Sequence, residues 1–172
     1  MPSLFPSPFP NLPDFNSLLV LGPYHASASI YLSLSLLSDH EGEPIIISPS
    51  RSTLLQALQA FNDSWLATNS GAGKISEKLA KVSMFYPPSP THLCLFLSML
   101  HANLTKESDT GAAFLHPKTT RALPPSLLVL LEPSSYFLSS SSSESPYTLS
   151  SYLNLIARVF ASIAGLKRNS AQ

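Results

Sequence analysis

The sequence predicts an α/β domain: a parallel sheet with helices on both faces. Three observations carry that expectation. Short apolar runs at 17–21, 45–47, 82–86 and 127–131 contain no charged residue, as strands covered on both faces require. Longer segments with helical spacing of apolar residues separate them, so strand and helix alternate along the chain. Turn residues such as Gly22-Pro23 and Pro87-Pro88 mark the junctions.

Taken in order, residues 1–16 form a loose, proline-rich leader without the positive start of a signal peptide. Residues 17–21 read as a buried strand, Gly22-Pro23 as a turn, and 28–37 as a helix ending near Ser38-Asp39. The uncharged stretch 18–37 has the length of a membrane span. Gly22-Pro23 and the serines Ser27, Ser29, Ser33 and Ser35 favour strand, turn and helix instead, and no membrane partner is expected. Glu43-Pro44 introduces the β-branched strand Ile45-Ile46-Ile47. Ser50 then caps a helix whose core face is Leu54, Leu58, Phe61 and Trp65, with Gln59 and Asp63 toward solvent.

Residues 69–73 read as a flexible connection, and 82–86 as the third strand, closed by Pro87-Pro88. Ser89-Pro90 opens a helix that is apolar on most sides over 93–104. A polar loop, 106–125, leads to the fourth strand at 127–131. A serine-rich surface loop, 139–146, precedes a last helix over 149–164, with Gly165 as its stop and Lys167-Arg168 near its negative end. The domain thus covers 17–166, and 167–172 is a tail.

The chain has 172 residues, 44% of them apolar, enough for one domain with a core. Ten basic and ten acidic residues leave a formal net charge of zero, which excludes binding to DNA or membranes through overall charge. Any DNA contact has to be local or shared with a partner. The single cysteine, Cys94, forms no internal disulfide and favours a reducing compartment.

The segment Gly22-Pro23-Tyr24-His25-Ala26-Ser27-Ala28-Ser29 stands where a phosphate-binding loop joins strand to helix. Against G-x-x-x-x-G-K-[ST], Gly22 fills the first position and Ser29 the last, while Ser27 replaces the second glycine and Ala28 the lysine. Pro23 removes an N–H group, and without the lysine the phosphate charge has no counterion. Hydrolysis is not expected; ATP with Mg²⁺, touched by Ser29, binds weakly at most, and no cofactor is required. Gly71-Ala72-Gly73-Lys74 follows a helix and reads as a linker.

A nucleotidase also needs an acid at the end of a buried strand. Glu132 is that acid in one register of the strand 127–131; in the other, Leu131 takes the place. His25, His40, His92, His101 and His116 have no metal-site spacing, and His92 and Cys94 do not share a helix face. No metal is expected. No serine stands in a nucleophile elbow, and the glycosylation patterns at Asn62 and Asn103 read as chance matches.

Four segments carry a resemblance. Leu19-Val20-Leu21-Gly22-Pro23, Ile45-Ile46-Ile47, Lys81-Val82-Ser83-Met84-Phe85-Tyr86-Pro87-Pro88-Ser89 and Pro125-Ser126-Leu127-Leu128-Val129-Leu130 resemble, in order and spacing, RecA-fold recombinase paralogues. The nearest likeness is to the small paralogues that partner a SWIM-domain zinc protein in Shu-type complexes. The resemblance implies a reduced or truncated RecA-like sheet of the P-loop NTPase fold. It implies a non-catalytic or weakly nucleotide-binding subunit of a homologous-recombination repair complex in the nucleus. The implied partners are the SWIM-domain zinc protein, a recombinase filament and single-stranded DNA.

Two departures qualify what carries over. Ala28 and Leu131 replace the family's lysine and strand-terminal aspartate, so its ATP-dependent activity does not. The family's fold also continues past the fourth strand and its helix, so the expectation is either a reduced scaffold or an incomplete product, with missing strands open to being supplied by a partner. Arg51, Arg158, Lys167 and Arg168 are the basic groups to test for DNA contact. Two other readings stand beside this one: a nucleotide phosphohydrolase using Ser29 and Glu132 through an atypical loop, and an interaction module unrelated to nucleic acid.

Overall fold

The computed structural model describes residues 1–6, 8–37, 42–102, 120–121, 124–138 and 148–169, with only the backbone at 101–102, 120–121 and 167–169. The elements are α1 (Ala28–Leu36), β1 (Ile45–Ile47), α2 (Arg51–Phe61), α3 (Ser64–Asn69), α4 (Gly73–Ala80) and β2 (Ser83–Phe85). They continue with α5 (Pro90–Met99), β3 (His101–Ala102), β4 (Thr120–Arg121), β5 (Leu128–Leu130), α6 (Ser135–Leu138) and α7 (Leu149–Asn169). The serine-rich stretch 139–146 and most of 106–125 lie outside the described residues.

The three isoleucines of β1 organise the molecule. Ile45 and Ile47 are fully buried and Ile46 is 1% exposed, because the strand is covered on both faces and flanked on both edges. β1 pairs in parallel with β2 and with β5, Ile46 standing opposite Met84 on one side and Val129 on the other. Successive side chains of a strand point to opposite faces. Accordingly Ile45 and Ile47 pack with Leu93 and Leu97 of α5 and Leu155 and Val159 of α7. Ile46 packs the other way, with Ile30 and Leu34 of α1, Leu54 of α2 and Leu131. The result is a three-layer α/β/α arrangement, as the sequence predicts.

The strand order is β2-β1-β5. The chain steps from β1 to β2 over the α2–α4 face, then back past β1 to β5 by way of α5 on the other face, which gives both crossovers the same hand. At the amino edge of the sheet Gly42, at φ +115°, lies so close to Pro124 O that a Cβ would come within 3.0 Å of it. Its carbonyl accepts the Ser126 hydroxyl at 3.2 Å, tying the approach to β1 to the approach to β5.

Several expectations are corrected. Residues 17–21 form no strand: Leu19 is 76% and Leu21 81% exposed, and no described strand pairs with them. An apolar run adopts a strand only against a neighbour that completes its ladder, and here α1 is what reaches the sheet. The single helix carrying Leu54 through Trp65 is two. Asn62, a residue that tolerates the left-handed region, ends α2 at φ 40°, and Asp63 caps α3 by accepting from Leu66 N–H at 3.0 Å. Asp63 therefore turns inward, and Phe61 is left 50% exposed.

The connection expected at 69–73 is shorter, because α4 begins at Gly73 and lays Ile75 and Leu79 on the Ile46 face. The helix opened by Ser89-Pro90 starts at Pro90 as expected but ends at Met99, short of the expected 104. Gly165 does not stop α7, since a glycine ends a helix only by turning left-handed and this one does not. α6 and the short parallel pair β3-β4 were not expected. Residues 149–166 of α7 are long and apolar enough to cross a membrane, yet Leu155, Val159 and Leu166 pack in the core.

Both predicted caps form. Ser50 accepts from Thr53 N–H, and Ser89 accepts from His92 N–H at 3.3 Å with Pro90 in the first turn. Ser89→Ala is expected to cost about 1 kcal/mol, the usual worth of an N-cap. In a chain of this size that is a fall of roughly 3 °C in melting temperature, readable by calorimetry.

Candidate functional site

In an open parallel sheet, neighbouring strands whose exits turn to opposite faces leave a crevice at their carboxyl ends. β1 exits through Ser48-Pro49-Ser50 to α2 on one face, and β5 exits through Leu131-Glu132 toward α6 and α7 on the other. A cleft of about 620 Å³ opens there. Its walls are the β1 and β5 exits with Pro88, one face of α2 from Thr53 to Phe61, the start of α6, and Gly22 to Tyr24 ahead of α1.

Gly22 holds φ +91° with nothing near its missing Cβ, so backbone conformation rather than space requires glycine. Two residues on, the Tyr24 hydroxyl donates to Glu132 Oε1 at 3.2 Å and bridges the loop to the end of β5. Burial, with the charge of Glu132 and the hydrogen bond to it, pushes the Tyr24 hydroxyl up to about 12. The strand register places Leu131 inward: its N–H donates to Ile47 O at 2.9 Å and its side chain is buried beside Ile46. Glu132 follows beyond the ladder, exposed, in a left-handed turn at φ 43°.

The other two candidate residues lie elsewhere. Ser27 is fully buried and Ser29 is 6% exposed, and neither lines the cleft. Ser27 Oγ donates to Asp63 Oδ2 at 2.6 Å and lies 2.6 Å from His25 Nδ1. The Tyr31 hydroxyl donates to the other oxygen of Asp63 at 2.6 Å. Burial by itself would raise the Asp63 carboxyl, but hydrogen bonds from Ser27, Tyr31 and Leu66 N–H, with the charge of His25, hold it below its ordinary 3.8.

Serine, histidine and aspartate meet here in the wrong order for a nucleophile. In a catalytic triad the histidine stands between the other two, whereas Ser27 stands between Asp63 and His25 and has no access to solvent. The network joins α1 to the α2–α3 corner. Sequence reading missed Asp63 because helical periodicity ran straight through Asn62; the signal was present in Asn62-Asp63-Ser64, a left-handed residue followed by an N-cap.

The backbone of the loop is also committed. Ala28 N–H donates to His25 O at 2.9 Å, and Ser27 N lies 3.3 Å from His25 Nδ1. These are the groups that a phosphate-binding loop leaves pointing at its ligand. Arg51 and Arg158 sit on α2 and α7, in opposite layers, and so share no surface stripe. Among the described residues no three His, Cys, Asp or Glu side chains gather to hold a metal ion. Comparison with protein families, with curated proteins and with solved structures finds no match for this chain.

Proposed function

We propose that the chain is a reduced RecA-like domain serving as a non-catalytic subunit of a homologous-recombination repair complex in the nucleus. It works with a SWIM-domain zinc protein and a recombinase filament, through protein contacts and single-stranded DNA. One observation carries the non-catalytic reading. The loop at the head of α1 turns its hydroxyl and N–H groups into the protein, Ser27 toward Asp63 and Ala28 toward His25, with alanine at the lysine position. The recombination reading is supported by the resemblance of the four segments. The parallel sheet and the crevice at its carboxyl edge are compatible with it.

The hydrolase alternative needs Ser29 and Glu132 to converge on one phosphate. Ser29 is buried in the first turn of α1, and Glu132 is across the cleft wall on the exit of β5. ATP with Mg²⁺ is therefore expected to bind weakly at most. A titration with a fluorescent ATP analogue and Mg²⁺ should show no turnover. Saturable binding with hydrolysis that Ser29→Ala abolishes would overturn the non-catalytic reading. Pull-down from nuclear extract should recover a SWIM-domain protein; recovery of no such protein and no repair factor removes the recombination reading.

A further inference from the structure

The side chains that line the cleft at the carboxyl edge of the sheet have no hydroxyl proton to spare and no cation among the described residues. Six hydroxyl-bearing residues line it, and each hydroxyl is engaged with the protein. Tyr24 donates to Glu132, Ser48 to Ser50 O, Thr53 to Ser50 Oγ, Ser135 to Glu132 O and Tyr136 to Pro87 O, while Ser50 shares a hydrogen bond with Ser52. Three of the lining residues, Pro23, Pro49 and Pro88, have no N–H to offer. Among the described residues no lysine, arginine, histidine, asparagine or glutamine lines the cleft.

What the walls present to a ligand is the opposite: hydroxyl lone pairs and a carboxylate. Glu132 uses one oxygen for Tyr24, and its second has no hydrogen-bond partner among the described residues. Leu54, Ala57, Phe61 and Leu131 supply an apolar wall beside it. A polyphosphate brings negative charge, which the Glu132 carboxylate repels, and it finds no cationic side chain among the described lining residues. A guanidinium brings positive charge and five N–H donors in a fixed fork, and it meets both.

The geometry points to this cleft as the seat of an arginine side chain, with an apolar neighbour, presented by a protein partner. Glu132 is its counterion. The inference rests on the reading of the chain as a subunit that acts through protein contacts, and it names the chemistry of one such contact. The cleft of about 620 Å³ holds more than one side chain.

The test uses the full ¹⁵N-labelled chain, titrated with acetyl-Arg-Leu-amide, with the neutral citrulline counterpart, and with MgATP. The arginine peptide should shift the amide resonances of Gly22, Thr53 and Ser135 with millimolar affinity. Citrulline for arginine, or Glu132→Gln in the chain, should weaken binding by about ten-fold, the scale for losing one partner of a charge pair. Should Glu132→Gln disturb the fold, the citrulline comparison on the unaltered chain decides. Equal binding of both peptides, no shifts up to about 20 mM peptide, or shifts of the same amides by MgATP alone overturns the proposal. Arginine-dependent binding without any repair factor in the pull-down leaves the cleft assignment standing and removes the recombination reading. Recovery of the SWIM-domain protein without arginine-dependent binding does the reverse.

Discussion

Ile46→Ala is expected to destabilise the fold by about 3–4 kcal/mol, toward the upper part of the range for truncating a large aliphatic core residue. For a chain of this size the melting temperature should fall by roughly 10 °C. Ile46 is 1% exposed on the central strand and meets α1, α2 and Leu131 on one face. Its backbone is held in parallel ladders on both sides, so the strand cannot sink to fill the space. The transfer cost and the cavity cost therefore add. Thermal and urea unfolding measure it; a loss below about 1 kcal/mol would mean that this layer is not packed as described. The contrast is Leu21→Ala, at a side chain 81% exposed, where a change within about 0.5 kcal/mol is expected.

Asp63→Ala should cost about 3 kcal/mol, for a different reason. The carboxylate caps α3 and accepts from two hydroxyls, those of the fully buried Ser27 and of Tyr31, which is 5% exposed. Removing it takes away an N-cap, leaves the buried Tyr31 hydroxyl unpaired and leaves Ser27 with His25 Nδ1 as its one remaining side-chain partner, and an unpaired donor is more costly than the bond itself was worth. Asp63→Asn separates charge from shape. Because the folded protein holds this carboxyl below its ordinary 3.8, its stabilising contribution is complete above that value and is lost as the pH falls beneath it. The unaltered protein should lose stability from about pH 4 downward, and the asparagine variant should show a flatter acid limb. Equal slopes for the two would remove Asp63 as the acid-sensitive group.

The same two residues mark how far the sequence can be read. Ile46 was legible: a β-branched triplet between turn residues has no other stable reading than an internal strand, and both helix caps that follow from Ser50 and Ser89 were equally local. Asp63 was not, because its partners Ser27 and Tyr31 lie 36 and 32 residues away, and a helical period extended through Asn62 put it on the solvent side. Of the candidate site, Gly22 and Glu132 do line one cleft, whereas Ser27 and Ser29 are drawn into the core by contacts with no local signature. Residues 17–21 have every local mark of a strand and lack only a neighbour.

The sequence by itself determined the parallel sheet built from three of its apolar runs, the starts of the two helices capped by Ser50 and Ser89, and the absence of a lysine at Ala28. These depend on side-chain volume, period and turn chemistry within a few residues. Only the tertiary structure decided the order β2-β1-β5, the inward register of Leu131, and the consumption of the loop's donors by His25 and Asp63. The physical reason is that a hydrogen bond between distant segments leaves no mark on either segment alone. Whether a hydroxyl or an N–H is free for a ligand depends on which acceptor the fold brings to it.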